Sequence, residues 1–325
     1  MADLKTTFMG LTLRNPVVVA SGPLTADINS LIKCEQAGAG AVVLKSIFED
    51  TVNYESSKQS TNIGDYIKES DFSASYVDLE KGHYVDQYVS LISEAKAKLS
   101  IPIIASIHCT NTNTWTEYVK RFKAAGADAL ELNYYPIGSH ISKTGEKVDK
   151  EALEFARKVR KVTDLPFSLK IGYEYSSLSS ISRGFCKEGT NGLVLFNNFF
   201  HPDINIEKET VCAMPGITHA DAYSESLRWI ALLSADIKDI DFAASTGVHS
   251  GETVIKMLLA GAKVTEVCSA VLKNGFGAIT EMVSVVESWM DRKGYKSIDE
   301  FRGKLAQKNI LDGAYWERTQ YMKNL

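Results

Sequence analysis

The 325-residue chain is poor in the features that mark several large protein classes. Its five cysteines, Cys34, Cys109, Cys186, Cys212 and Cys268, are odd in number, far apart, and form no C-x-x-C pair. That spacing offers neither a disulfide framework nor a zinc knuckle, so no metal site is expected and reduced thiols are. No apolar run nears the roughly 20 residues needed to cross a bilayer. The opening residues, Met1-Ala2-Asp3-Leu4-Lys5, lack the basic and apolar regions of a signal peptide. A cytoplasmic protein without a membrane partner is the expectation. With a formal net charge of −4 and no basic run, a nucleic-acid surface is not expected. H-E-x-x-H, the P-loop and G-x-G-x-x-G are missing too, which removes several common enzyme classes.

What is present is a rhythm. Eight short apolar runs, at 15–20, 41–44, 102–107, 129–133, 167–171, 193–197, 241–245 and 264–268, alternate with segments of helical periodicity. The predicted helices are 27–38, 84–99, 115–125, 150–162, 178–188, 222–237, 251–260 and 276–293, several closing on glycine. Strand–helix alternation favours a parallel sheet with helices outside it. Eight units fit closure better than an open doubly wound sheet. The expectation is therefore one (β/α)8 TIM barrel over residues 1–325, with long loops after strands 2, 4 and 6. The loop after strand 2, residues 48–81, exceeds ordinary length and reads as an insertion over the barrel mouth.

Several runs stop at a polar residue, and in a parallel barrel those ends converge on one rim, where active sites sit. Two lysines are among them, Lys45 and Lys170. A rim lysine is costly to desolvate without an anionic partner. Each could reach water or a neighbouring carboxylate, but two on one rim favour ligand contact. Ser245-Thr246-Gly247 and Cys268-Ser269 open the helices after strands 7 and 8, where many barrels bind phosphate; ordinary capping would use the same residue types. Beside the lysines they tip toward a phosphorylated cofactor. Asn133 and the pair Asn197-Asn198 suit the imide edge of a flavin or a pyrimidine. His108 and Cys109 follow strand 3, where a histidine more often fills a polar gap than acts as acid or base; His219 and His249 carry less weight. Tyr134-Tyr135, before Pro136, could cover a ring or pack the loop.

These strand ends resemble those of the dihydroorotate dehydrogenases, specifically the soluble class 1. The matching pieces are Gly10-Leu11-x-Leu13-x-Asn15-Pro16, Ala20-Ser21-Gly22, the run Gly38-Ala39-Gly40-Ala41 through Leu44-Lys45-Ser46, Glu131-Leu132-Asn133, Ser168-Leu169-Lys170, and Gly261-Ala262 leading to Cys268-Ser269-Ala270. A tail, Lys293-Gly294-Tyr295 to Phe301-Arg302-Gly303, matches as well. The resemblance implies an FMN-dependent barrel of pyrimidine biosynthesis that oxidises (S)-dihydroorotate to orotate, acting as a homodimer. By position, Ala20, Ser21 and Ser46 would contact FMN, and Lys45 would lie between FMN and the substrate carboxylate. Asn133 would contact both, and Lys170 would neutralise the flavin N1/O2 side. Leu195 or Phe196 would pass the flavin, and Asn197 and Asn198 would face substrate. Gly216, Thr246, Gly247, Cys268 and Ser269 would hold the phosphate and ribityl chain.

The chain also departs from the family pattern. The family's catalytic cysteine, in an Asn-x-x-Cys-Pro-Asn run, is replaced by Asn133-Tyr134-Tyr135-Pro136-Ile137. Tyr135 is the nearest stand-in, a poor base given a phenol pKa near 10; His108, Cys109, Tyr76 and His83 are the other candidates. The family's substrate loop gives way to Ser73-Ala74-Ser75-Tyr76-Val77-Asp78, and a glycine gives way to Cys268. The cofactor half looks intact and the substrate half rewritten. Two alternatives follow: an FMN oxidoreductase acting on a different heterocycle or enone, and a non-redox barrel binding a phosphate ester.

Overall fold

The computed structural model describes residues 2–48, 84–108, 115–199, 201–214 and 216–319. The chain starts with an antiparallel hairpin, β1 (Thr6–Phe8) and β2 (Leu11–Leu13). Its two-residue turn, Met9-Gly10, holds φ at 52° and 80°, the left-handed backbone a tight hairpin turn requires. The barrel begins at β3 (Val17–Val19), followed by α1 (Ile28–Gln36), β4 (Ala41–Val43) and the short β5 (Ile47–Phe48). Then come α2 (Tyr84–Lys98), β6 (Ile103–His108), α3 (Trp115–Ala124), β7 (Ala129–Asn133), α4 (Gly145–Val162), β8 (Phe167–Ile171) and α5 (Leu178–Lys187). After β9 (Gly192–Leu195) a second hairpin, β10 (Pro202–Asn205) and β11 (Thr210–Ala213), precedes α6 (Tyr223–Asp236). The rest is β12 (Asp241–Ala244), α7 (Gly251–Ala260), β13 (Val264–Val267), α8 (Ser269–Asn274) and α9 (Gly277–Lys293).

Eight parallel strands close on themselves. The order β4-β3-β13-β12-β9-β8-β7-β6 ends where it starts, because β6 also pairs with β4. The expected (β/α)8 TIM barrel is the fold. Side chains alternate across each strand. One set (Leu130 and Leu132, Phe167 and Leu169, Leu193 and Leu195) packs outward under the helices. The other set faces the axis. Its lower layer, with Val18, Ala41, Val43, Ile104, Ala129, Val194, Ala243 and Val264, joins Phe8, Met9 and Leu13 in a separate apolar cluster. The first hairpin therefore plugs the N-terminal end of the barrel, where Met9 N donates to Asp241 Oδ2 at 2.8 Å. With that end filled by side chains among the described residues, the carboxyl end is where a ligand would enter.

The helices start where side-chain caps permit. Asp27, Thr144, Ser177 and Ser250 each accept a backbone N–H at the first turn of α1, α4, α5 and α7. Thr144 starts α4 five residues before the predicted 150, which shortens the loop after the fourth strand. The hairpin β10–β11 occupies the loop after the sixth, which reads as irregular from sequence. The insertion expected at 48–81, with Tyr76, and also His83 and Cys109, falls outside the described residues apart from Phe48. Among the described residues no helix is long and apolar enough to cross a membrane.

Candidate active site

Alternation decides which polar side chains enter the barrel. Register pairs Ser106 with Glu131 and Ser168, and one layer higher His108 with Asn133 and Lys170. These inward residues build a polar shaft above the apolar plug.

At its centre lies an ion cluster. The Lys170 ammonium donates to Glu266 Oε2 at 2.7 Å and to Glu131 Oε1 at 3.4 Å, with 6 % of the lysine side chain and 1 % of each glutamate exposed. Two buried carboxylates facing one ammonium would leave an uncompensated negative charge, a large cost in a low-dielectric interior. Burial first, and then the charge of Glu266, raise the Glu131 carboxyl far above the usual range, outweighing the pull of Lys170. The balance pushes Glu131 toward its neutral acid. Glu131 Oε2 has no hydrogen-bond partner among the described residues, and as an acid the carboxyl can donate to Glu266, which lies within hydrogen-bonding reach. Burial alone would lower the Lys170 pKa, but the negative charge and hydrogen bonds of the glutamate pair outweigh it and hold the ammonium above its ordinary value. One ammonium thus stands between two buried glutamates, of which Glu131 is the one pushed toward its neutral acid.

Above it runs a chain of hydroxyls and amides. Asn133 Nδ2 donates to Ser46 Oγ at 2.8 Å and to Ser106 Oγ at 3.2 Å. Ser46 Oγ lies 2.7 Å from Ser106 Oγ and 3.0 Å from Ser21 Oγ, and Ser46 N donates to Ser21 Oγ at 2.9 Å. Asn197 Nδ2 reaches Asn133 Oδ1 at 3.5 Å. Lys45, beside Ser46, is fixed through its backbone N–H to Thr25 O at 3.1 Å. Its ammonium is half-buried and has no hydrogen-bond or ion-pair partner among the described residues, and burial pushes its pKa below the ordinary value.

A third group forms where strands β12 and β13 end. Thr246 and Gly247 both take left-handed backbone, φ 72° and 76°. Non-glycine residues rarely do so outside functional turns. A Cβ at Gly247 would collide with the backbone of Ala222 and Tyr223. Thr246 Oγ1 donates to Phe196 O at 2.9 Å, tying the turn to the end of β9. Ser269 Oγ accepts from Thr218 N and Thr218 Oγ1, both at 3.1 Å, and His249 Nε2 lies 3.3 Å from that threonine hydroxyl. Cys268 takes up the space above Gly22, where an added Cβ would sit 2.8 Å from its Sγ. Ala20 is buried, its N–H on Val267 O at 2.9 Å. Gly216 and Asn198 are exposed and bonded to each other, Asn198 Nδ2 to Gly216 O at 3.0 Å.

Tyr135 lies further out. Its ring stacks on Phe199 with centroids 3.6 Å apart, and its hydroxyl donates to Glu174 Oε1 at 3.0 Å. Burial, then the Glu174 carboxylate, push the phenol up to about 12. His108 is half-buried with its ring 5.3 Å from that of Phe48.

The strand-end residues Ser21, Ser46, Asn133 and Asn197 are thus brought into one hydrogen-bonded set. Three participants carry little signal in sequence: Ser106, Glu266 and Thr218. For the first two a signal existed, because counting back two from His108 and from Cys268 lands on a polar residue inside an otherwise apolar strand.

A model of the dihydroorotate dehydrogenase family matches residues 3–290. The chain belongs to the dihydroorotate dehydrogenase family. Members of this family are flavin-dependent dehydrogenases acting on CH–CH bonds, and this oxidoreductase is an enzyme of that kind. It is 23 % identical to the NAD-dependent dihydropyrimidine dehydrogenase subunit PreA of Escherichia coli (strain K12), over 98 % of this chain and 80 % of that protein. It is also 23 % identical to the chloroplastic dihydropyrimidine dehydrogenase (NADP(+)) of Arabidopsis thaliana, over 93 % of this chain and 76 % of that one. Against the catalytic subunit of dihydroorotate dehydrogenase B (NAD(+)) of Thermoplasma acidophilum the identity is 24 %, over 93 % and 99 %. In this dihydroorotate dehydrogenase family member, the polar shaft at the barrel mouth is the candidate active site.

Proposed function

We propose that this chain is a cytoplasmic FMN-dependent oxidoreductase of pyrimidine biosynthesis, oxidising (S)-dihydroorotate to orotate. The observation that carries the reading is Lys45: a half-buried cation without a partner among the described residues, next to the Ser46–Asn133 amide network. Such a group is stabilised by an anion, and a carboxylate on a planar amide ring supplies one.

The donor set fits FMN. Ala20, Ser21, Ser46, Asn133, Lys170 and Phe196 would line the ring, and Gly216, Thr246, Gly247, Cys268 and Ser269 the ribityl chain and phosphate. Bound FMN supplies the two-electron acceptor for the substrate hydride. Lys45 binds and orients the carboxylate, while Asn133, Asn197 and Asn198 hold the ring amides. Lys170 gives less than a free lysine would, because Glu266 already balances its charge. A pairing of two copies has an apolar surface available: Ile204, Ile206, Val211 and Met214 stand exposed on and beside the β10–β11 hairpin, and light scattering of the purified protein would read the expected homodimer.

The test is anaerobic addition of dihydroorotate to the purified flavoprotein. Bleaching of the visible flavin band supports the reading; an unbleached band overturns it. A second reading, a related dihydropyrimidine lacking the carboxylate, draws support from the equal similarity to dihydropyrimidine dehydrogenases and the missing cysteine. Dihydrouracil bleaching where dihydroorotate does not would favour it.

A further inference from the structure

We propose that Tyr135 and Glu174 act as one proton-accepting unit: the tyrosine oxygen takes the proton from the substrate carbon while its own proton passes to Glu174. This rests on the dehydrogenase reading above and supplies the base that the family's cysteine would otherwise provide.

Three neighbouring strand ends converge to build the unit. Tyr135 follows β7 by two residues, Glu174 follows β8 by three, and Phe199 follows β9 by four; these strands are adjacent in the barrel. The tyrosine hydroxyl is spent on Glu174 Oε1 at 3.0 Å, which leaves the lone pairs of its oxygen free to receive a proton. The Phe199 stack, 3.6 Å between centroids and 21° between planes, fixes the ring. Gly172 is the floor beneath all three. A Cβ there would stand 2.9 Å from Tyr135 Cε2 and 3.0 Å from Phe199 Cε2, and would collide with Glu174 Oε2. The groups facing the phenol are Glu174, Tyr173 and Tyr175.

The chemistry balances. One substrate carbon loses hydride to FMN, and its neighbour loses a proton to Tyr135 Oη. The C=C bond forms from the electrons left behind, and the original phenol proton moves to Glu174 Oε1. Tyr135 never ionises, so a phenol held near 12 is no obstacle. Glu174 is exposed and returns its proton to water. Tyr135 is the catalytic group here and Glu174 acts through it.

The experiment uses the holoenzyme labelled with 13C at tyrosine Cζ, the Tyr135 signal being assigned by its loss in Tyr135→Phe. The expected wild-type titration is at about 12, falling in Glu174→Gln but staying above the free-phenol value of about 10, because burial, the larger cause, remains. Flavin reduction by dihydroorotate should slow about 100-fold or more in Glu174→Gln, with KM nearly unchanged and partial recovery in Glu174→Asp. A mere loop brace predicts otherwise: Gln keeps an acceptor oxygen for the hydroxyl, so an unchanged rate overturns the proposal. If dihydroorotate fails to bleach the wild type, the functional reading falls and the titration decides alone. A Tyr135 phenol titrating near 10, or unmoved by Glu174→Gln, overturns the unit; a raised phenol that falls in that variant supports it.

Discussion

Replacing Lys170 by methionine keeps most of the side-chain volume and removes the charge that balances Glu266. The carboxylate left behind is 99 % buried at its side chain, beside a Glu131 that is itself pushed toward its neutral acid. Its escape is to take up a proton, which sets a ceiling on the cost. In the variant the folded-state pKa of Glu266 rises above the unfolded value of about 4.3, so the folded form holds a proton the unfolded form releases. Stability is then lost as pH rises through the unfolded pKa, at about 1.4 kcal/mol per pH unit until the folded pKa is reached. The ceiling is about 4 kcal/mol at pH 7 and about 1 kcal/mol at pH 5, in line with the roughly 3–5 kcal/mol cost of orphaning one member of a buried pair. Burial pushes Glu131 toward its neutral acid in both proteins, so its contribution cancels; Lys170 is charged throughout this range in the wild type, folded or not. Urea unfolding of both proteins at pH 5, 6 and 7 reads the difference. The variant should approach the wild type as pH falls. An equal deficit at pH 5 and pH 7 would refute the charge assignment.

Glu131→Gln should cost no more than about 1 kcal/mol at pH 7, since an amide replaces an acid that is already neutral and still donates to Glu266; denaturant midpoints check it, and a loss of several kcal/mol would mean Glu131 is ionised. Lys45→Ala should raise the KM for dihydroorotate about 10- to 100-fold, the worth of a hydrogen bond to a charged group, with FMN content unchanged by absorbance. Gly22→Ala should lower stability or FMN retention because the new methyl meets Cys268 Sγ at 2.8 Å, and Cys268→Gly in the same chain should restore it; a cycle without coupling would break that contact argument.

The barrel itself was legible because its code is simple. Runs such as 129–133 and 167–171 coincide with β7 and β8 (Ala129–Asn133 and Phe167–Ile171), since a strand buried on its outer face needs Leu, Ile or Phe at every second position. The rim residues were legible for the same reason, as the first polar residue to follow such a run. The interior was harder. Glu131 and Glu266 sit inside strands that read as apolar, and only the closure of the barrel, which brings β7, β8 and β13 around one lysine, shows why each is tolerated. The hairpin plug was missed because Thr6-Thr7-Phe8 and Leu11-Thr12-Leu13 are too short to show alternation. Glu174 was invisible because its partner, Tyr135, lies 39 residues away along the chain.

The most direct measurement is a crystal structure of the protein grown with FMN. The account predicts one FMN per chain, its ring against Asn133 and Lys45 and its phosphate at the Thr246-Gly247 turn and Ser269. A barrel mouth that takes up no FMN, or an FMN bound away from that turn, would contradict it.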